Sequence, residues 1–403
     1  MTPGDVALRH NRQFLLVWGG QSISIFGSQV GYIALWWWVL DSTGSAAALA
    51  SVAIATAITR FVAGPLAGTF IDRVDRRRLM LWMNILNGSL MLGVGAILFA
   101  GRLEVWHLYI ACTASAAATL IHRAALLASI PTLVSKEQLT RANSLDQIAY
   151  SASGIVGPAV AGMLVGFIGS GPTVWIDATT FLVAALSLGL VSFASPRVPS
   201  GDGWRTLFRN AASGFRFLLT KRGLLCMVGL VAFLNLILAP TSVLIPVMAR
   251  DVLQSGSRGL GFLTSALSCG TLLGGAFTWL LKRVNRHGVG MVLGFIVLGA
   301  TLALFGMSKN LPMAMVFLGA VGFAVAVVNV FESVVVQLHA PDEIRGRAFA
   351  SINALTESLR PISLACIGGL LMIISAPTVL VGCGAAVVAS ALAAGMSREM
   401  RRL

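Results

Sequence analysis

The sequence predicts an all-α membrane protein of twelve transmembrane helices, arranged as two parallel six-helix repeats. Composition, the spacing of apolar runs and a repeat at one constant offset all point to it. Hydrophobic residues make up 57% of the 403 positions and charged residues only 11%. Soluble domains carry about twice that charged fraction. Too few charges are present to clothe a soluble surface of this size, so hydrocarbon is the solvent for most of the chain.

A bilayer core about 30 Å thick takes roughly 20 apolar residues per helix. Runs of that length predict spans over 13–39, 45–71, 79–100, 106–132, 145–168 and 173–195. Six more fall over 223–248, 258–281, 288–308, 311–338, 348–374 and 377–396. The long apolar runs 147–176 and 361–397 are divided by Gly169 to Pro172 and by Pro377, residues that suit helix turns. The first span is too long for a signal peptide and follows twelve polar-rich residues, so it reads as uncleaved. Trp36, Trp37 and Trp38 close it, and Trp106 and Trp175 open two others, as an interfacial aromatic belt would. Cys112, Cys226, Cys269, Cys366 and Cys383 all fall within spans without a CxxC pair. They read as small packing residues, not as a disulfide framework or a zinc site.

A shift of 206 residues carries Gly64 and Gly68 onto Gly270 and Gly274, and Arg76-Arg77 onto Lys282-Arg283. It also carries Glu137, Arg141 and Ala142 onto Glu343, Arg347 and Ala348. Each feature recurs at the matching place in a six-span unit. The halves run over 1–200 and 223–403, with 201–222 between them as a basic linker. Six spans per half leave the repeats in the same orientation. The linker interleaves Arg205, Arg209 and Arg216 with Leu207, Phe208 and Phe215, the pattern of an amphipathic helix on the inner membrane surface.

The net charge is +14. With the amino terminus inside, only Arg102, Arg250, Arg258 and Lys309 of the 29 Lys and Arg fall in outer loops. Arg60, Arg123 and Arg360 lie within spans, and the rest occupy inner segments. This asymmetry predicts that both termini are cytoplasmic. It also accounts for the basic excess without nucleic acid. Membrane lipid is the expected partner of the basic run Arg73–Arg78.

Gly64-Pro-Leu-Ala-Gly68-Thr-Phe-Ile-Asp72-Arg73-Val-Asp75-Arg76-Arg77-Arg78 resembles the signature between helices two and three of the major facilitator superfamily, with Asp75 in place of a glycine. Gly157-Pro158-Ala-Val-Ala-Gly162 resembles the antiporter motif of that family, with Ser153 and Ala161 where it prefers glycine. Ile130-Pro131, Arg141-Ala142-Asn143-Ser144 and Pro341-Asp342-Glu343-Ile-Arg345-Gly346-Arg347 are similar to the branch of macrolide-efflux proteins and enterobactin exporters. The resemblance covers nearly the whole chain. It implies a monomer in the bacterial inner membrane that works by alternating access as a proton antiporter. It also implies that spans 1, 4, 7 and 10 line a central cavity.

In that frame Gly64, Gly68, Asp72, Arg73, Arg76 and Arg77 form a gate at the inner surface. Asp72 meets a helix amino terminus there, and the arginines meet acidic groups. Ionisable groups inside a bilayer are costly and mark function by default. Arg60, Arg123, Asp177, Glu332, Glu357 and Arg360 are such groups. Counting residues from the inner ends puts five of them about 10–18 Å deep, with Asp177 nearer the outer surface. Glu332 is the first candidate for proton coupling and Glu357 the second, with Arg123, Arg360 and Asp177 as further candidates. Gln21, Gln29, Arg60, Asn235 and Asn329 are candidate cavity polar groups.

His107 and His122 lack metal-ligand spacing, and no nucleotide-binding G-x-x-x-x-G-K-[ST] loop occurs. No cofactor or metal is therefore expected, and transport must draw on an ion or substrate gradient. No clustered nucleophile or paired catalytic carboxylates favour a membrane enzyme, and a receptor or scaffold is the other class considered. The expected activity is export of a small amphipathic drug or secondary metabolite. Siderophore export and lysolipid flipping are the alternatives within the same fold.

Overall fold

The computed structural model describes residues 8–71, 74–192, 216, 222–280 and 287–397; at 9, 65–70, 222, 342–347 and 350 the description is of the backbone alone. Asp72, Arg73 and nearly all of the predicted linker lie outside the described residues. Within them every regular element is helical: α1 (Arg12–Thr43), α2 (Ala46–Ile71), α3 (Arg76–Phe99), α4 (Val105–Leu133), α5 (Leu139–Ile168) and α6 (Ser170–Gly189) come first. Then follow α7 (Arg222–Leu238), α8 (Thr241–Val247), α9 (Gly256–Leu280), α10 (His287–Gly306), α11 (Leu311–His339), α12 (Asp342–Leu370) and α13 (Ala376–Met396). Helices satisfy every interior backbone group within one segment, which hydrocarbon demands.

Eleven described segments are long and apolar enough to cross a bilayer. The remaining predicted span, 348–374, corresponds to α12, whose 29 residues suffice in length but carry Glu357 and Arg360. Caps explain several starts. Asn11 accepts from the Phe14 amide at 3.1 Å, and its own amide donates to Leu133 O at 2.8 Å, tying α1 to the end of α4. Asp75, which replaces a glycine of the resembled signature, accepts from the Arg78 amide at 2.9 Å and starts α3. Asn310 does the same for α11 through Met313.

Two predicted spans differ in detail from their helices. Helix α1 runs on to Thr43, so the three tryptophans lie inside it, and Trp36 is buried. The span predicted over 223–248 stands within Gly223–Val252, but its helix is interrupted. It breaks at Ala239–Pro240 between α7 and α8, and a π turn follows over Met248–Val252. Pro240 has no N–H to continue the ladder.

The described residues up to Gly44 and from Ala55 to α6 cluster as one compact unit, while Ser45–Ile54 groups with the residues of α7 to α13. In the first unit α1 packs on α5 and α6, and α3 packs on α4 and α6. In the second, α7 packs on α12, and α10 packs on α11 and α13. Three of the first unit's four pairings, α1 with α5, α3 with α4 and α3 with α6, recur as close packing under the 206-residue shift. Helix α9 also packs closely on α11. There a Cβ at Gly270 would lie within about 3 Å of the Gly319 backbone, so the repeated glycine of this half is needed for close approach. All five cysteines are free thiols, and Cys269 and Cys366 are exposed, not packed as expected.

Candidate functional site

The second unit holds a polar cavity of about 160 Å³ where the broken span meets α12. Asn235, Leu238, Ala239, Thr241 and Ser242 line it from α7, the break and α8; Thr356, Glu357 and Arg360 line it from α12. Two prolines expose backbone beside it. Pro240 supplies no donor for the carbonyl of Leu236, and the Ser363 hydroxyl of α12 donates to that carbonyl instead. Pro361, inside α12, likewise leaves the carbonyl of Glu357 without its intrahelical donor. Broken and proline-interrupted helices are tolerated in a membrane where they line a cavity.

Glu357 and Arg360 sit one helical turn apart, with Oε1 and Nη1 at 3.9 Å. That separation exceeds a hydrogen bond, so charge more than bonding holds the pair. Both side chains are over a third exposed. Asn235 donates to Val231 O at 3.0 Å, which leaves its side-chain oxygen as an acceptor toward the cavity. Of the predicted residues, Asn235, Glu357 and Arg360 are thus brought together. Glu332 is not among the lining residues; it is half-buried on α11 and makes no ion pair among the described residues. Asn329, on the same helix, is exposed.

In the first unit Arg123 of α4 donates two bonds to Asp146 of α5, from Nη1 to Oδ1 at 2.9 Å and from Nη2 to Oδ2 at 2.6 Å. The Arg123 guanidinium lies 5.7 Å from the Tyr150 ring centre. Asp146 was missed in the sequence. Residue counting from the α4–α5 turn would have found it: Arg123 lies ten residues before Leu133 and Asp146 seven after Leu139, about 15 and 10 Å deep. A long arginine chain spans that difference between antiparallel neighbours.

Asp177, expected nearer the outer surface, is buried on α6, which packs against both α1 and α3. Its Oδ1 has no hydrogen-bond partner among the described residues. A Cβ at Gly31 of α1 would run into this carboxyl, so glycine there makes its room. Gln21 is also buried, with Nε2 unpartnered, whereas Arg60 is exposed on α2. In the antiporter-like motif, Pro158 and Gly162 are buried in α5, and a Cβ at Gly157 would come to 2.7 Å from Gln29 Cβ.

Acidic partners were expected for the arginines of the gate signature. Arg76 Nη1 donates to Ala128 O of α4 at 2.8 Å. Arg77 donates from Nε to Leu188 O at 2.8 Å and from Nη2 to Gly189 O at 2.9 Å, capping the end of α6. Cations favour the carbonyl end of a helix. Nothing in 4 Å surrounds a Cβ placed at Gly64, and the surroundings of Gly68 are not described. No cluster of three metal-ligating side chains occurs among the described residues.

A family model for the Major Facilitator Superfamily matches residues 17–363. The chain belongs to this superfamily. Its members are transporters, and a small-molecule substrate follows from membership. Among superfamily relatives, macrolide efflux protein A of Streptococcus pyogenes is 24% identical over 362 residues, covering 87% of each chain. Multidrug efflux pump Tap of Mycobacterium tuberculosis is 29% identical over 355 residues, covering 85% of this chain and 83% of that one. The fold is that of the nucleoside transporter NupG, with a TM-score of 0.79 at 14% identity, over 96% of this chain and 99% of the other.

Proposed function

We propose that this superfamily member exports small amphipathic molecules, drugs or secondary metabolites, by alternating access coupled to proton antiport. It sits in the bacterial inner membrane as a monomer with both termini cytoplasmic; the uneven placement of Lys and Arg supports that orientation. The efflux activities named for the two relatives support the direction.

The single observation behind the mechanism is the Glu357–Arg360 pair in the polar cavity beside Pro240. A proton arriving from outside binds a carboxylate oxygen of Glu357 and removes its charge. Arg360 then loses its counter-charge, and the electrostatics of the cavity change for a bound cargo. Loss of the proton to the inside restores the pair. A cationic cargo and the proton compete for one carboxylate, which is the requirement for antiport. Glu357 therefore takes precedence over Glu332, whose half-buried carboxyl, without an ion pair among the described residues, is the second acid. Arg123, paired with Asp146, braces α4 on α5.

The test is flux in proteoliposomes, with a macrolide and a cationic dye as cargo and an imposed pH gradient. Glu357→Gln should lose gradient-driven flux while retaining downhill exchange of the cargo. Undiminished pH-driven flux in that variant would overturn the assignment of the proton. Absence of any flux in the parent protein would overturn the transport reading itself in favour of a receptor or scaffold.

A further inference from the structure

A second cavity, of about 450 Å³, opens in the first unit where α1 ends and α4 begins. Trp38, Ser42 and Thr43 line it from α1, and Leu103, Glu104, Val105 and Trp106 from the start of α4. None of these residues belongs to the polar cavity of the second unit. We infer that this pocket is a binding site for an organic ammonium group, held between tryptophan faces and the Glu104 carboxylate.

Glu104 is the only charged residue among those lining the pocket, and it is negative. Its Oε2 accepts a bond from Trp106 Nε1 at 3.1 Å, which fixes carboxylate and ring side by side. One face of Trp106 stacks on His107, with ring centres 3.7 Å apart, and among the described residues no other ring contact is made by Trp106. Hydroxyl groups offer little competition for the carboxylate. Ser42 Oγ donates to Trp38 O and Thr43 Oγ1 to Val39 O, both at 2.6 Å, so their protons are spent on the α1 backbone. An aromatic face attracts cations through its quadrupole, best of all for tryptophan. Two indoles, one carboxylate and apolar Leu103 and Val105 match a cation clothed in methyl or alkyl groups. A strongly hydrated metal ion or an anion finds no suitable ligand set there.

Depth narrows the source. Both ends of this pocket lie at helix termini, the level at which aromatic belts and lipid headgroups meet. The same ammonium chemistry is carried by soluble amphipathic cations and by choline headgroups. The site is independent of transport direction and of the Glu357 mechanism.

Benzyltrimethylammonium binding to the purified full-length chain, followed by calorimetry, tests the proposal. In nanodiscs of phosphatidylglycerol, which has no ammonium headgroup, the cation should bind and the uncharged analogue with carbon for nitrogen should not. Glu104→Gln, Trp38→Ala and Trp106→Ala should each weaken binding about three- to tenfold. Trp106→Phe, which keeps an aromatic face but loses the bond to Glu104, should weaken binding less than Trp106→Ala does and controls for folding. Retained affinity in phosphatidylcholine nanodiscs assigns the site to free cations; loss of binding there assigns it to the headgroup, and either supports ammonium recognition. Equal binding by the parent, Glu104→Gln and Trp38→Ala, or equal binding of the uncharged analogue, would overturn it.

Discussion

Asp146→Ala removes both acceptors from the Arg123 guanidinium. Breaking a buried ion pair from one side typically costs 3–5 kcal/mol, because a desolvated charge is left behind. Here the Asp146 side chain is 10% exposed and that of Arg123 32%, so water reaches the arginine after the change. The expected loss is therefore reduced to about 2–3 kcal/mol. Replacing both residues by leucine removes the stranded charge, and that double variant should lie within about 1 kcal/mol of the parent. The coupling between the two positions, read from a cycle of Asp146→Leu, Arg123→Leu and the double variant in dodecyl sulfate unfolding titrations, should then be at least about 1 kcal/mol. Arg123→Lys should fall between, since an ammonium cannot make the paired bonds of a guanidinium. If Asp146→Ala unfolds with the parent, or if the two single losses simply add in the double variant, the brace assignment is wrong.

Ser363→Ala should lower stability by about 1–3 kcal/mol, because the Leu236 carbonyl loses the donor that replaces Pro240. Adding Pro240→Ala returns a backbone N–H, so thermal unfolding of the double variant should recover part of that loss. Gly31→Val forces a branched side chain into Asp177 and should cost about 1–3 kcal/mol, with Asp177→Ala relieving much of it. Arg77→Gln removes a cation from two carbonyls at the end of α6 and should cost about 1–2 kcal/mol in the same unfolding assay.

Much of the candidate site was legible in the residues alone. Glu357 and Arg360 stand one turn apart in a polar-interrupted span, and intramembrane charge is rare enough to draw attention. Asn235 lines the same cavity beside a feature that hydropathy does not register, the interruption of the span at Pro240. For Asp177, distance along the helix gave a depth, whereas its burial against α1 depends on the direction in which the side chain points. Arg76 and Arg77 of the signature stand at the start of α3, and Arg77 finds its partners in carbonyls 111 and 112 residues away.

Sequence by itself determined the number of crossings, their approximate limits, the repeat at 206 residues and membership of the superfamily. Those properties are local or additive: hydrocarbon demands a certain length of apolar helix, and a repeat is a matter of register. Tertiary structure decided which groups meet. Arg123 with Asp146, Asp177 against Gly31, and Ser363 on the carbonyl that Pro240 orphans all depend on how each helix is rotated about its axis. In a membrane most helix faces are apolar, so hydropathy cannot specify that rotation. Close packing and the few polar contacts between helices specify it instead.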